Sequence, residues 1–288
     1  MAVESVSRER VEARLDRLVR ENRFTIAVVF PLAGAVLLLA SAETLLPGPL
    51  NFNPYLVLFG TFVMRLPLIA GVAPLVDRKA LLALVALTLY SYAIEYVGVT
   101  RGWPYGFFEY GVDLGPMLLD TVPLGLPIFF FPLVLNSYLL CTLLLGERAA
   151  NPLLRLPVVI AAVLAVDLVL DPGAVALGFW AYDGGGAYYA VPWSNYEGWV
   201  LSATVAVVLF DIAFDRLALT DRVRRCEFML DDLVSFVILW GAINAYFGNW
   251  VPVAVASLFF LGLVRIDRFD FRVFDTAPLV GRVRNSER

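Results

Sequence analysis

Long apolar runs, broken by short polar connections, dominate the chain. Eight of them approach the length of a bilayer-crossing helix, which needs about 20 apolar residues. They run over 24–46, 55–76, 80–99, 122–145, 156–170, 199–219, 233–247 and 250–264. The fifth and eighth are short for full spans, and the break between the last two is the weakest of the boundaries. The pattern predicts an all-α, polytopic transmembrane bundle of about eight helices. Residues 1–23 read as a charged amphipathic helix on the inner surface, 24–265 as a single transmembrane catalytic domain, and 266–288 as a basic cytoplasmic tail. The "ASA" at 40–42 resembles a leader-cleavage site, but a 23-residue charged lead and a long apolar run argue for a retained first span.

Charge fixes the expected orientation. With the amino terminus inside, all but two of the 22 basic residues fall on the cytoplasmic side, as the inward bias of Lys and Arg requires. The exceptions are Arg65, within the second span, and Arg101, in an outer loop. Both termini are therefore expected inside, in a multi-pass protein of the cell membrane. Composition agrees: 60% of residues are hydrophobic and 17% charged, against about 25% charged in soluble domains. One Lys among many Arg, with a pI near 5.0, points to a halophile or a GC-rich genome. Cys141 lies in a span and Cys226 in an inner turn, so no structural disulfide is expected.

There is no histidine. That removes Ser–His and Cys–His nucleophile pairs, the usual His-type zinc sites, and the His-clustered di-iron centres of lipid desaturases. No metal or other cofactor is expected, and no nucleic-acid partner. Acid–base chemistry must come from carboxyls, Tyr, Arg or Lys79.

Two outer connections, about 100–121 and 171–198, concentrate Gly, aromatics and acids. Trp103, Trp180, Trp193 and Trp199 fall in or beside them. Interfacial anchoring accounts for any one of these rings, but the density of Gly-aromatic pairs exceeds what anchoring needs. Ionisable groups inside spans face a cavity or a partner and are functional candidates. Arg65 lies one turn from Thr61. Glu95 shares a helical stripe with Thr88, Ser91 and Tyr92. Asp167 and Asp171 lie four apart at the outer end of span five, and Asp211 and Asp215 four apart in the inner half of span six. Blander readings stand beside these. Arg65 pairs with a buried acid, Asp171 is a helix stop before Pro172, and Asp215 is interfacial. Asp231 and Asp232 fit the first turn of a helix, where acids complement its dipole.

The segments "EYVGVTRGWPYGFFEYGVDLGPMLLDTVPLGLP" (95–127) and "LDPGAVALGFWAYDGGGAYYAVPWSNYEGW" (170–199) resemble the integral-membrane carotenoid hydratases. The shared features are E-x-x-G-x-x-x-G, an aromatic-x-Tyr and L-G-P element, L-D-P, Y-Y-G-V-P and N-x-x-G-W. Ala190 stands where the pattern has Gly. The resemblance implies water addition to the terminal double bonds of a membrane-dissolved C50 carotenoid, giving tertiary alcohols. It also implies the lipid bilayer and other carotenoid-pathway membrane enzymes as surroundings. Such a reaction needs a neutral carboxylic acid, kept so by an apolar site, aromatic faces beside a tertiary cation, and a group that orients and deprotonates water. Glu95 and Asp171 are the first catalytic candidates, with Asp113 and Asp120 behind them. Arg65, Trp103, Tyr105, Trp180, Tyr188 and Trp193 are expected to line the pocket, and Asn195 to hold the water.

Two alternatives remain at this stage. The paired D-x-x-x-D spacings are found in intramembrane prenyltransferases, but here they sit at depths roughly 18 Å apart by helical rise; a carotenoid cyclase would share the protonation step but exclude water. A proton-coupled transporter would string its acids through the membrane.

Overall fold

The computed structural model describes residues 7–271, so most of the predicted basic tail, including Arg272, Arg282, Arg284 and Arg288, lies outside the described residues. Ten α-helices run through the described residues. α1 (Arg8–Glu21) is the expected amphipathic helix and packs on α3. α2 (Thr25–Ala42), α3 (Pro54–Val72), α4 (Arg78–Arg101), α5 (Leu126–Leu145), α6 (Pro152–Leu177) and α7 (Trp193–Ala213) follow. By length and composition these six are long and apolar enough to cross a membrane. A short α8 (Arg216–Arg225) precedes α9 (Asp231–Tyr246) and α10 (Trp250–Arg265), each 16 residues long.

Local chemistry sets most of the ends. Asn53, Asp77 and Asn151 cap α3, α4 and α6 with their side chains, each satisfying amide N–H groups that a helix start leaves unpaired. Gly102 and Gly178 close α4 and α6 in the left-handed region that glycine adopts without steric cost. Arginines cover carbonyls at one end of the bundle. Arg8 donates to the carbonyls of Ala73 and Val76 at 2.7 and 2.9 Å, Arg222 to Gly71 at 3.0 Å, and Arg268 to Cys226 at 3.0 Å. This arginine-rich end lies opposite the end that carries the two aromatic loops.

Two boundaries differ from the sequence expectation. Span five does not stop before Asp171: α6 runs through Pro172 to Leu177. Proline removes an amide and frees the carbonyl four residues earlier. Here Tyr188 donates its hydroxyl to that carbonyl, of Leu168, at 3.1 Å. Asn244 of α9 donates to the Val169 carbonyl at 2.8 Å. Partners from elsewhere in the chain thus replace what proline takes away. Span six is also shifted. α7 starts at Trp193 and ends at Ala213, because Asp215 caps a separate α8 by accepting from Ala218 at 2.7 Å. Asp211 and Asp215 therefore share no helix face.

Among the described residues, two clusters pair a carboxylate with an arginine between helices. Asp232, in the first turn of α9, takes an ion pair from Arg65 and a 2.5 Å bond from Asn136. Asp211 receives Arg155 at 2.7 Å and the Tyr138 hydroxyl. The segment before α9 dips into the bundle, with Phe228, Met229 and Leu230 fully buried. Met229 fills the notch at Gly71, where an added Cβ would lie 2.5 Å from its Cγ. Both cysteines are free and buried.

Candidate active site

The two aromatic loops are joined as a ribbon. β1 (Phe108–Tyr110) pairs antiparallel with β4 (Trp180–Tyr182), with Phe108 opposite Tyr182 and Tyr110 opposite Trp180. Strand alternation puts Phe108, Tyr110, Trp180 and Tyr182 on one face, and all four line a cavity beneath. Glu109 and Ala181 take the exposed face. A second small hairpin, β2 (Met117–Leu118) with β3 (Val122–Pro123), leads into α5.

The cavity measures about 150 Å³. An engineered apolar cavity of about that size admits benzene, so this one has room for the end of an isoprenoid chain. Its walls are apolar and aromatic, with Phe129 and Phe130 of α5, Trp199 of α7 and Trp240 of α9. Phe130 and Trp199 stack at 5.5 Å between centroids. The carboxyls that line it are Glu95 of α4 and Asp171 of α6.

Each carboxyl has its own tyrosine from the ribbon. Tyr110 donates to Glu95 Oε1, and Tyr182 donates to Asp171 Oδ2 at 3.0 Å. Burial, then the nearby Glu95 carboxyl, pushes the Tyr110 hydroxyl far above the usual phenol range. Burial, then Asp171, does the same to Tyr182. Both phenols therefore stay protonated and act as fixed donors. Asn195 Nδ2 donates to Asp171 Oδ2 at 2.5 Å and to Asp167 Oδ2 at 3.1 Å, so one amide bridges the two aspartates on α6. That uses both of its N–H groups and leaves the amide oxygen as an acceptor on a side chain that lines the cavity.

Glycines one turn from the polar residues seat the wall. Gly98 follows Glu95 by three positions, and Gly198 follows Asn195 by three. A Cβ at Gly98 would lie 3.0 Å from the Tyr105 ring, and one at Gly198 only 2.4 Å from it. Tyr105 is thus slotted between α4 and α7, with its hydroxyl 2.6 Å from Ser202 Oγ, which in turn lies 3.0 Å from the Tyr90 hydroxyl.

Of the residues singled out from sequence, the fold gathers Glu95, Asp171, Tyr105, Trp180 and Asn195 around the cavity. It does not bring the others there. Arg65 is spent on Asp232. Asp113 is exposed and accepts from the Gly115 amide at 2.8 Å. Asp120 is exposed in the turn between β2 and β3 with φ of 53°. Trp103 and Trp193 are about 60% exposed. Tyr188 supports the Pro172 break instead. Tyr110, Tyr182, Phe130, Trp199 and Trp240 were not foreseen. The alternation in "FEY" and "WAY" is the signal that marks the two tyrosines.

The profile of the carotenoid biosynthesis protein family matches residues 52–263. The chain belongs to this family. All of the residues that line the cavity fall within the matched region. The bisanhydrobacterioruberin hydratase of Haloarcula japonica is 68% identical over 264 residues, covering 92% of this chain and 90% of that one. The lysine-poor, acidic composition is in keeping with that source. No solved structure matches.

Proposed function

We propose that this member of the carotenoid biosynthesis family is a hydro-lyase that adds water to the terminal double bonds of a C50 carotenoid, of the bisanhydrobacterioruberin type named for its Haloarcula relative. The observation that carries the reading is the pairing of Glu95 and Asp171 in one apolar, aromatic cavity large enough for a chain end. Glu95 gives a proton to the terminal alkene, forming a tertiary cation on the carbon that bears two methyls. The faces of Trp199, Phe130 and Tyr105 lie beside the cation and stabilise it. Asn195 sits on the Asp171 side, so the water enters there. The Asn195 oxygen orients it, and Asp171 Oδ1, which takes neither of the donors held by Oδ2, removes its proton. Trp180 borders the cavity as a further ring. No step calls for a redox change.

Oxygen isotopes test this. Purified protein given the anhydro-carotenoid anaerobically, with chelator, should form the alcohol with oxygen-18 from labelled water. Label arriving from O₂ would mean oxygenation and overturn the reading.

The membrane placement belongs to the same proposal. α2–α7 with α9 and α10 form eight crossings in a domain spanning 24–265, both termini face the cytoplasm, and the ribbon faces outward. The carotenoid reaches the cavity from the cell membrane, where pathway enzymes that make it also reside. A cysteine at exposed Asp183 should react with an impermeant thiol reagent on intact cells, and one at exposed Arg224 should not. The opposite pattern would reverse the orientation.

A further inference from the structure

Asp167 is wholly buried on α6, one turn before Asp171. Its Oδ2 takes the Asn195 amide, but its Oδ1 is buried with no hydrogen-bond partner. The hydroxyl of Tyr196, a residue 7% exposed on α7, is likewise buried and unpartnered. One is an acceptor and the other can donate, and the two are bracketed together. Tyr196 follows Asn195, which bonds Asp167 directly. The Tyr196 ring packs at 5.8 Å on Tyr188, whose hydroxyl bonds the carbonyl of Leu168, the residue after Asp167. Buried polar atoms left unpaired in this way are costly, and complementary pairs that do not reach one another are bridged by water.

We propose that Asp167 Oδ1 and the Tyr196 hydroxyl hold a buried water between α6 and α7, and that this water is the route by which the Asp167–Asp171 pair exchanges its proton with solvent. The inference rests on the reading of Asp171 as the group that deprotonates the attacking water. Each turnover moves one proton from Glu95 to carbon and one from water to Asp171. The site resets when a proton leaves the aspartate pair and one returns to Glu95, with no net change. Asp167 touches no substrate and does not line the cavity, so it is a positioning residue: it fixes the Asn195 amide and anchors the water. The outward side is aromatic. Tyr196 packs at 5.7 Å on Trp193, which is exposed at the start of α7, and half-buried Tyr188 lies alongside. The other titratable groups around the aspartate pair are Tyr105 and Tyr182, which face Asp167, and Glu95 on α4, which faces Asp171.

Infrared spectra of the full-length protein in detergent, moved from H₂O to D₂O, report the exchange directly. A protonated-carboxyl band should be present that is altered in both Asp167→Asn and Asp171→Asn. Tyr196→Phe should keep that band and slow its deuteration by roughly tenfold, the effect of one lost hydrogen bond. Its kcat should fall with KM unchanged. If Tyr196→Phe exchanges and turns over as wild type does, or if no band responds to the two aspartate changes, the water route is overturned. If Asp171→Asn hydrates normally while Tyr196→Phe still slows exchange, the role given to Asp171 fails and the water site stands.

Discussion

Gly198→Ala isolates the seating of Tyr105. The new Cβ would lie 2.4 Å from Tyr105 Cδ1, 2.9 Å from Cε1 and 3.1 Å from the backbone carbon of Pro104. The ring has little room to retreat, because its far edge packs over Gly98, where even a Cβ would come within 3.0 Å of it, and its hydroxyl is held at Ser202. Overpacking of this kind costs about 1–3 kcal/mol. Alanine returns about 0.5–1 kcal/mol in a helix interior, so the net loss is about 0–2.5 kcal/mol. Thermal unfolding in detergent should show a drop of a few degrees. Activity should fall further, since a 1 Å misplacement at a reacting site can cost roughly 10²-fold. Gly60→Ala in α3 is the matched control, because nothing lies within 4 Å of its Cβ position. It should gain stability and keep turnover. If Gly198→Ala is as stable and as active as wild type, Tyr105 is not wedged as described, and the account of the cavity wall fails.

Glu95→Gln and Asp171→Asn should both fold and bind the polyene, with turnover reduced roughly 10²–10⁴-fold, as expected for loss of a general acid or base. In D₂O the wild type should place one non-exchanging deuterium on the carbon beside each new alcohol. Asp211→Asn, at the arginine-rich end, should lose stability with its Arg155 pair while its folded fraction hydrates nearly normally, and the reverse ranking of turnover per folded protein would move the site. Tyr189 and Ala190 form the two-residue turn of the bridge between Tyr188 and Val191, both with positive φ, 64° at Ala190. A left-handed conformation costs a residue with a Cβ about 1–2 kcal/mol, so Ala190→Gly should raise the melting temperature without changing the product; a lowered one would contradict the strain.

The helical architecture was legible because lipid-length apolar runs leave a chain few options. What escaped was long-range. A proline preceded by an acid reads as a stop, and only Tyr188, Asn244 and Asn249, brought in from elsewhere, make Pro172 an interior residue of α6. "WSNYEGW" has the composition of a loop, yet it begins α7 because Asn195 is held by two aspartates of the neighbouring helix. Glu95 was visible as a carboxyl on a polar stripe. Its donor Tyr110 was not, since strand pairing across some 70 residues places it. Arg65 shows the converse. An unpaired charge in an apolar run demands a partner, but only the fold identifies it as Asp232, 167 positions away.

The distribution of these clusters weighs on the alternatives. A proton carrier needs acids that connect from one end to the other. Here Asp232 is closed off by Arg65 and Asn136, and Asp211 by Arg155 and Tyr138. Breaking such buried pairs costs several kcal/mol, so they brace the helices and interrupt any chain of titrating groups. The acids that line the aromatic cavity are Glu95 and Asp171, at the loop end. A cyclase must fold a second alkene onto the cation while keeping water out. A space of about 150 Å³ takes one chain end, and its polar lining carries the Asn195 amide, the Glu95 and Asp171 carboxyls and the Tyr105, Tyr110 and Tyr182 phenols. In the mechanism proposed above, a tertiary cation formed between stacked rings and that polar edge meets oxygen before it meets carbon, which gives the alcohol.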